Sequence, residues 1–393
     1  MSKKIVLAYS GGLDTTCAIP WLKDNGFDEV VCFSANLGSE FSPGDLKERG
    51  AATGASKVYV EDLQEEFARD FLIPGLKANA VYENKYLLAT SYGRPLIAKH
   101  LVDVARRENA GYVAHGCSAK GNDQVRLDVT VKMLAPDLNI VAPLRTWEMT
   151  SRESEIDYAR ERNLPIKLTK EKIYSIDKNI WGVAIECGIL EDLGNEPPED
   201  AYMLTSPFKD TPDEAEYIEI EFEKGVPVAL NGRKMGFVSL LEKLNEIAGK
   251  HGVGRTDMIE DRVVGIKSRE VYEAPAGWCL IHAHKELESV VLDKETLAFK
   301  DIVSLKYAQL VYQGLWYTRL RSSLDAFVEK TQERVTGTIT LKLFKGNIMV
   351  ASRKSKYSLY RESMATYGDD DEFVRDNAEP FINLFAMPFI ERN

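Results

Sequence analysis

Short apolar runs punctuate the first 150 residues. One covers 4–9, behind two lysines. Others lie in DEVVCFSA (28–35), SKVYVED (56–62), GYVAHG (111–116) and NIVAPL (139–144). Continuous apolar runs of this length suit strands buried on both faces. Stretches of helix length separate them, and strands alternating with helices imply a parallel sheet with right-handed crossovers. Such a sheet receives ligands beyond the carboxyl ends of its strands. Two chemically dense segments fall at such ends, AYSGGLDTT (8–16) and HGCSAKGNDQVR (115–126).

After about residue 168 the pattern changes. YIEIEFEKGVPVAL (217–230) alternates apolar and acidic side chains and turns at Lys224 and Gly225, and 337–353 reads as a second hairpin. SLLEKLNEIAGKHG (239–252) is amphipathic, with Ser239 as its predicted N-cap and Gly252 near its end. The chain is therefore divided into an α/β unit over 1–168, an α+β unit over 169–360 and a C-terminal arm over 361–393. In the arm, Phe381, Ile382, Leu384, Phe385, Met387, Phe389 and Ile390 are too many apolar side chains for a free tail. They are expected to dock on another subunit, the alternative being that they fold back on their own domain.

Composition narrows the classes. A 44% hydrophobic, 28% charged chain is globular rather than disordered. A formal net charge of −11 argues against a dominant nucleic-acid role. No stretch approaches the length of a membrane span, and the opening apolar run is too short for a signal peptide. Cys17, Cys32, Cys117, Cys187 and Cys279 lie far apart with no CxxC, which argues against disulfides and structural zinc. A reducing, cytoplasmic setting is the expectation.

In the first loop, Ser10, Gly11 and Gly12 leave the strand before a helix that begins near Asp14. Glycines allow close approach of a ligand, and successive N–H groups with a helix dipole form an anion nest. Thr15 and Thr16 add hydroxyls. Asp14 is a candidate helix cap or magnesium ligand. Pro20, inside this helix, predicts a kink. The loop is neither a Walker A sequence nor GxGxxG. In the second segment, Gly116 and Gly121 free the backbone. Ser118, Asn122 and Asp123 supply a hydroxyl, an amide and a carboxylate, a set able to hold an amino acid by both charged ends. Lys120 is suited to neutralise phosphate or carboxylate. His115, His251, His282 and His284 read as structural, the last two as strand positions two apart.

S-G-G-x-D-[ST] after a first buried strand resembles the pyrophosphatase loop of the N-type ATP pyrophosphatases. Those enzymes cleave ATP between the α and β phosphates, adenylate an oxygen and let a nitrogen or sulfur nucleophile displace AMP. The loop does not choose among them, but the rest of the chain does. YSGGLDT, KYLLATSYGRPLIAK (85–99), HGCSAKGNDQVR, YSIDKNIWG (174–182), AGKHGVGRTDMIEDR (248–262), SREVYEAPAG (268–277) and YSLY (357–360) resemble the argininosuccinate synthase family, in order and nearly end to end.

The resemblance implies a PP-loop nucleotide-binding α/β domain, an α+β synthetase domain and a C-terminal oligomerisation helix in a homotetramer. It implies ATP with Mg2+ as cofactor, citrulline and aspartate as substrates, and neither nucleic acid nor membrane as partner. It implies no covalent nucleophile, catalysis coming from orientation and charge stabilisation by Ser10, Asp14, Thr15 and Asp123. Ala8, Tyr9, Ser10, Gly11, Gly12, Leu13, Asp14, Thr15 and Thr16, with Ala35 and Gly116, are implied to hold ATP. Ser118, Asn122 and Asp123 are implied to hold aspartate. Tyr86, Ser91, Asn122, Arg126, Ser175, Ala184, Glu260 and Tyr272 are implied to hold citrulline, Arg126 at its carboxylate and Glu260 at its ammonium. Arg94 is a further candidate partner for a carboxylate or phosphate.

Several positions depart from the family pattern. Ser118 stands for threonine, Ala119 for glycine, Ala184 for serine, Leu127 for phenylalanine and Asp261 for asparagine. Ser118 keeps a hydroxyl and Ala184 loses one. Ala119 is expected to strain its loop by roughly 1 kcal/mol if its φ is positive. The alternatives are a paralogous adenylating ligase with another ureido acceptor or amine, and a nucleotide sensor without catalysis.

Overall fold

The computed structural model describes residues 3–38, 42–166 and 174–391. The expected unit boundary at 168 lies outside them. Five strands, β1 (Lys4–Ala8), β2 (Glu29–Asn36), β3 (Lys57–Asp62), β4 (Tyr112–His115) and β5 (Asn139–Val141), form an all-parallel sheet in the order β3-β2-β1-β4-β5. The five apolar runs are these five strands. Ile5, Val6 and Leu7 at its centre are fully buried, as a strand covered on both faces requires. Helices α1 (Leu13–Asp24), α2 (Pro43–Ala52), α3 (Ala89–Arg107), α4 (Asn122–Leu134) and α5 (Arg152–Glu161) accompany the sheet. The strand order reverses between β1 and β4, so the loops leaving these two strands diverge and open a crevice at their carboxyl ends.

The remaining strands are β6 (Ser175–Lys178), β7 (Val183–Glu186), β8 (Glu216–Glu223), β9 (Val226–Leu230), β10 (Arg233–Lys234), β11 (Arg255–Asp261), β12 (Lys267–Glu273), β13 (Gly337–Phe344) and β14 (Asn347–Lys354). They build two antiparallel sheets, β10-β9-β8-β13-β14 and β11-β12-β7-β6. Both predicted hairpins are present, turning at Lys224–Gly225 and Lys345–Gly346 with positive φ at all four residues. Helices α6 (Phe237–Lys250), α7 (Pro275–Val291), α8 (Lys294–Tyr312), α9 (Arg319–Gln332) and α10 (Ala378–Ala386) complete the frame.

Three local expectations are corrected. Helix α6 begins at Phe237 with Gly236 as its N-cap, two residues before Ser239. Gly12, not Asp14, caps α1, and Asp14 sits inside the first turn; α1 continues through Pro20. His282 and His284 lie on helix α7, where positions two apart face opposite sides. His282 is exposed, whereas His284 is buried between Asn79 and Gln332. The alternation of HAH carries no strand signal because α7 is apolar on most of its circumference.

The two units share one core. Trp181 Nε1 donates to the Leu87 carbonyl at 2.7 Å, and Asn179 Nδ2 to that of Ala89 at 2.9 Å. Leu88, buried and left-handed at φ 65°, caps α3. The segment ahead of α3 is thus clamped from the second unit. Helix α10 behaves otherwise: Phe381, Ile382, Leu384 and Phe385 are all exposed on this chain. Among the described residues, no helix is long and apolar enough to cross a membrane.

Candidate active site

The loops after β1 and β4 meet in the crevice. A Cβ on Gly116 would stand 2.7 Å from Thr15 Cγ2, so only glycine permits the approach without a shift. Gly11 has φ 72°, which favours glycine, and its carbonyl accepts from Arg49 Nη1 at 3.0 Å. Ser10 Oγ accepts from the Gly12 N–H at 3.2 Å and lies 3.0 Å from Thr15 Oγ1. The 12-residue α1 starts at Leu13, directing the positive end of its dipole at this turn. Thr15 and Thr16 are buried, while Ser10 and Gly12 are exposed. Ala8 and Tyr9 end the strand below the turn. Ala35 is the penultimate residue of the neighbouring β2, in register with Glu61. Behind the turn, burial and then the neighbouring Asp14 push the Glu155 carboxyl up to about 9.

The second dense segment folds as a loop running into α4. Gly121 is the N-cap, so Asn122 and Asp123 are the first two helical residues. Ser118, Ala119 and Lys120 are exposed ahead of them. Ala119 is not among the residues with positive φ, so the expected backbone strain is absent. Asp123 is gripped by two arginines: Arg126 Nη1 at 2.9 Å and Arg94 Nη2 at 2.6 Å. Burial opposes its charge, but the two guanidinium groups outweigh burial and hold the carboxyl below its usual range. Arg94 also bonds Asp177, so both its partners are protein carboxylates rather than a free ligand position. Arg126 is buried, and its Nη2 has no protein partner. An unpaired buried guanidinium nitrogen is costly unless something accepts from it.

The antiparallel sheet β11-β12-β7-β6 forms the facing wall. Ala184 pairs with Tyr272 on one side and Asp177 on the other; Ser175 pairs with Glu186, and Glu260 with Ser268. Alternation then places Ser175, Asp177, Ala184, Glu186, Glu260 and Tyr272 on one face of the sheet. The opposite face buries Val183, Ile185 and Val271. Tyr272 donates to Glu260 Oε2 at 2.5 Å, and Asn122 Nδ2 lies 3.3 Å from Glu260 Oε1. Burial raises the Glu260 carboxyl, against two tyrosine hydroxyls that favour its charge. The Tyr86 ring stacks on Tyr272 with centroids 4.0 Å apart, and burial pushes its phenol up to about 12. Ser91 is fully buried, and its Oγ has no protein partner.

Gly116 thus reaches the first loop at Thr15, while Asn122, Glu260, Tyr272 and Tyr86 are joined by hydrogen bonds and ring stacking. Four contributors escaped the sequence. Asp177 neutralises Arg94. Arg262 Nη2 bonds Glu186 and Glu270, both at 2.8 Å, while its Nη1 donates to the Lys120 carbonyl at 3.3 Å. Tyr82 stacks on Tyr312 at 3.6 Å between centroids. Tyrosines within apolar stretches read as core, and nothing local separates these two from packing residues. Among the described residues no group of three or more His, Cys, Asp or Glu side chains gathers to hold a metal.

Comparison with known proteins agrees with this geometry. Residues 4–165 match the family described as arginosuccinate synthase N-terminal HUP domain, and 174–391 match arginosuccinate synthase C-terminal domain. Similar proteins named argininosuccinate synthase come from Carboxydothermus hydrogenoformans (56% identity over 99% of this chain and 97% of the relative) and Desulfitobacterium hafniense DCB-2 (55%, 98% and 96%). Another is from Thermoanaerobacter sp. X514 (54%, 98% and 94%). A solved structure titled as a predicted subunit of tRNA methyltransferase from Methanocaldococcus jannaschii covers 40% of this chain and 76% of its own. Its 18% identity and TM-score of 0.30 are too slight to bear on fold or function. The near-complete span of both domain matches and the identity of the relatives place this chain in the argininosuccinate synthase family.

Proposed function

We propose that this protein is a C–N ligase that condenses citrulline with aspartate, converting ATP to AMP and pyrophosphate and releasing argininosuccinate. The observation that carries the reading is the joining, in one crevice, of a backbone anion nest to a pocket with opposed charges. ATP lies along Ala8–Thr16, Ala35 and Gly116. Its phosphates meet the N–H groups of the turn and the hydroxyls of Ser10 and Thr15. Oxygen donors at Asp14 suit Mg2+, which keeps most of its waters and binds through one or two carboxylates plus phosphates. When bound, the ion neutralises charge building on the departing pyrophosphate.

Citrulline presents its carboxylate to the open Arg126 Nη2 and its ammonium to Glu260, with Tyr86, Ser91, Asn122, Ser175 and Tyr272 around it. Ala184 offers only a methyl group. The ureido oxygen attacks the α-phosphorus, and the bond to the β-phosphate oxygen breaks. Aspartate, held by Ser118, Asn122 and Asp123, then attacks the activated carbon through its amine, and AMP leaves with the ureido oxygen. Neither step forms a bond to the protein, so rate comes from orientation and fixed charge.

The same reading divides the chain into a nucleotide-binding domain over 1–168, a synthetase domain over 169–360 and an oligomerisation arm over 361–393, in a cytoplasmic homotetramer. The exposed apolar face of α10 supports a second copy as its cover. Deleting 378–393 is expected to lower the mass seen by light scattering; an unchanged mass would remove the arm from the assembly.

The deciding assay is pyrophosphate release from MgATP with citrulline and aspartate omitted in turn. Release that requires citrulline, with argininosuccinate formed only when aspartate is added, is the expected result. Nucleotide binding without release under any combination points to a sensor, and release with other ureido compounds to a paralogous ligase.

A further inference from the structure

Tyr312 is the last residue of α8 and is buried, and the described contacts around it do not resemble those of a packing tyrosine. Its hydroxyl donates to Glu260 Oε1 and accepts from Asn122 Nδ2 at 2.9 Å. Its ring lies flat on Tyr82, 5° from parallel, and the Arg126 guanidinium carbon is 4.8 Å from the ring centroid. Its backbone carbonyl accepts from Arg126 Nε at 2.8 Å. That carbonyl belongs to the last turn of a 19-residue helix, where oxygens lack intrahelical donors and carry the negative end of the dipole. The turn that follows is pressed against α4. A Cβ on Gly314 would lie 2.6 Å from Arg126 Cα, and Gly314 has φ 75°.

One residue therefore touches Glu260, Asn122 and Arg126 through three different groups. Glu260 and Arg126 are the opposite charges assigned to the two ends of citrulline. Their separation decides which amino-acid backbone fits, yet they sit on different units of the chain. We propose that Tyr312 is a positioning residue that sets the spacing between Glu260 and Arg126 and so fixes the α-ammonium and α-carboxylate of the ureido substrate. This rests on the site assignment made under Proposed function.

Tyr312→Phe isolates the hydroxyl, because ring stacking and the backbone carbonyl remain. The expected result is a KM for citrulline raised about tenfold, with the KM for ATP within about twofold of wild type and little change in thermal midpoint. A second readout separates positioning from packing. Glu260 is faced by Tyr82, Tyr86, Arg126, Arg262, Glu270, Tyr272 and Tyr312. Removing one hydrogen bond to its charged form moves its titration up. The acidic limb of kcat/KM for citrulline should therefore shift to higher pH in the variant. Unchanged citrulline KM, an unmoved acidic limb, or equal loss for ATP and citrulline overturns the positioning role while leaving the activity standing. Wild-type protein that releases pyrophosphate without any dependence on citrulline overturns the site assignment and this proposal with it. Tyr312→Leu, which also removes the ring, is expected to lower thermal stability as well as citrulline affinity. Loss of stability without a further loss of affinity overturns the part assigned to the ring.

Discussion

The two ends of the crevice are built by opposite strategies. The proposed phosphate end is nine consecutive residues whose working groups are mostly backbone: two glycines, a helix N-terminus, and hydroxyls from Ser10 and Thr15. The proposed amino-acid end is made of side chains from α3, α4, α8, β11 and β12. A phosphate is a diffuse anion that any fan of N–H groups can meet, so one turn suffices. A zwitterion demands a cation and an anion at a set distance, in a place dry enough for both to matter.

That contrast is open to direct attack. The largest effect is expected from Arg126→Ala, which removes the open Nη2 and leaves half-buried Asp123 with Arg94 alone. Truncating one partner of a largely desolvated charge pair costs about 2–5 kcal/mol, so kcat/KM for citrulline should fall roughly thirtyfold to several thousandfold. The KM for ATP should stay within about threefold. An equal loss for both substrates would mean that the two ends are one cooperative unit.

Gly116→Ala attacks the seam between the loops. Its Cβ would meet buried Thr15 at 2.7 Å. Overpacking of about 1–3 kcal/mol predicts a KM for ATP raised some tenfold with citrulline affinity nearly intact. Ser10→Ala is milder. It removes the acceptor of the Gly12 N–H and the partner of Thr15 Oγ1, near 1 kcal/mol, and about fivefold in ATP KM. Steady-state kinetics with each substrate varied in turn checks all three.

A last prediction concerns stability rather than kinetics. Glu155, behind the phosphate loop, holds a proton up to about pH 9 in the folded chain against an ordinary value of 4.5. Between those values the folded state binds more protons than the unfolded one, so stability falls as pH rises. Glu155→Gln should flatten this slope, and its thermal midpoint should drop less than wild type between pH 6 and pH 9. Parallel slopes would show that the proton is absent.

The parallel sheet was legible because its central strands β1, β2 and β4 are mostly apolar and buried, while the edge strands β3 and β5 are only partly covered. The hairpins were legible because Lys-Gly punctuates an alternation of period two. The caps of α1 and α6 were misread because Asp14 and Ser239 have good capping chemistry. The chain nonetheless enters both helices at glycines, Gly12 and Gly236, neither of which makes a side-chain cap. The strand reading of His282 and His284 failed since a three-residue alternation cannot outweigh the surrounding apolar helix.

The phosphate loop, the charge-bearing segment 115–126 and the alternating strands were readable from local chemistry alone, because glycine, dihedral preference and side-chain period act over a few residues. What joins them was not. Arg94 looked like a ligand for a free anion until Asp177 came across from β6 to occupy it. Tyr82 and Tyr312, 230 positions apart, became a stacked pair only when α8 ended against α4. Partners of a buried charge are chosen by distance in space, and that distance exists only after the two units have closed on one core.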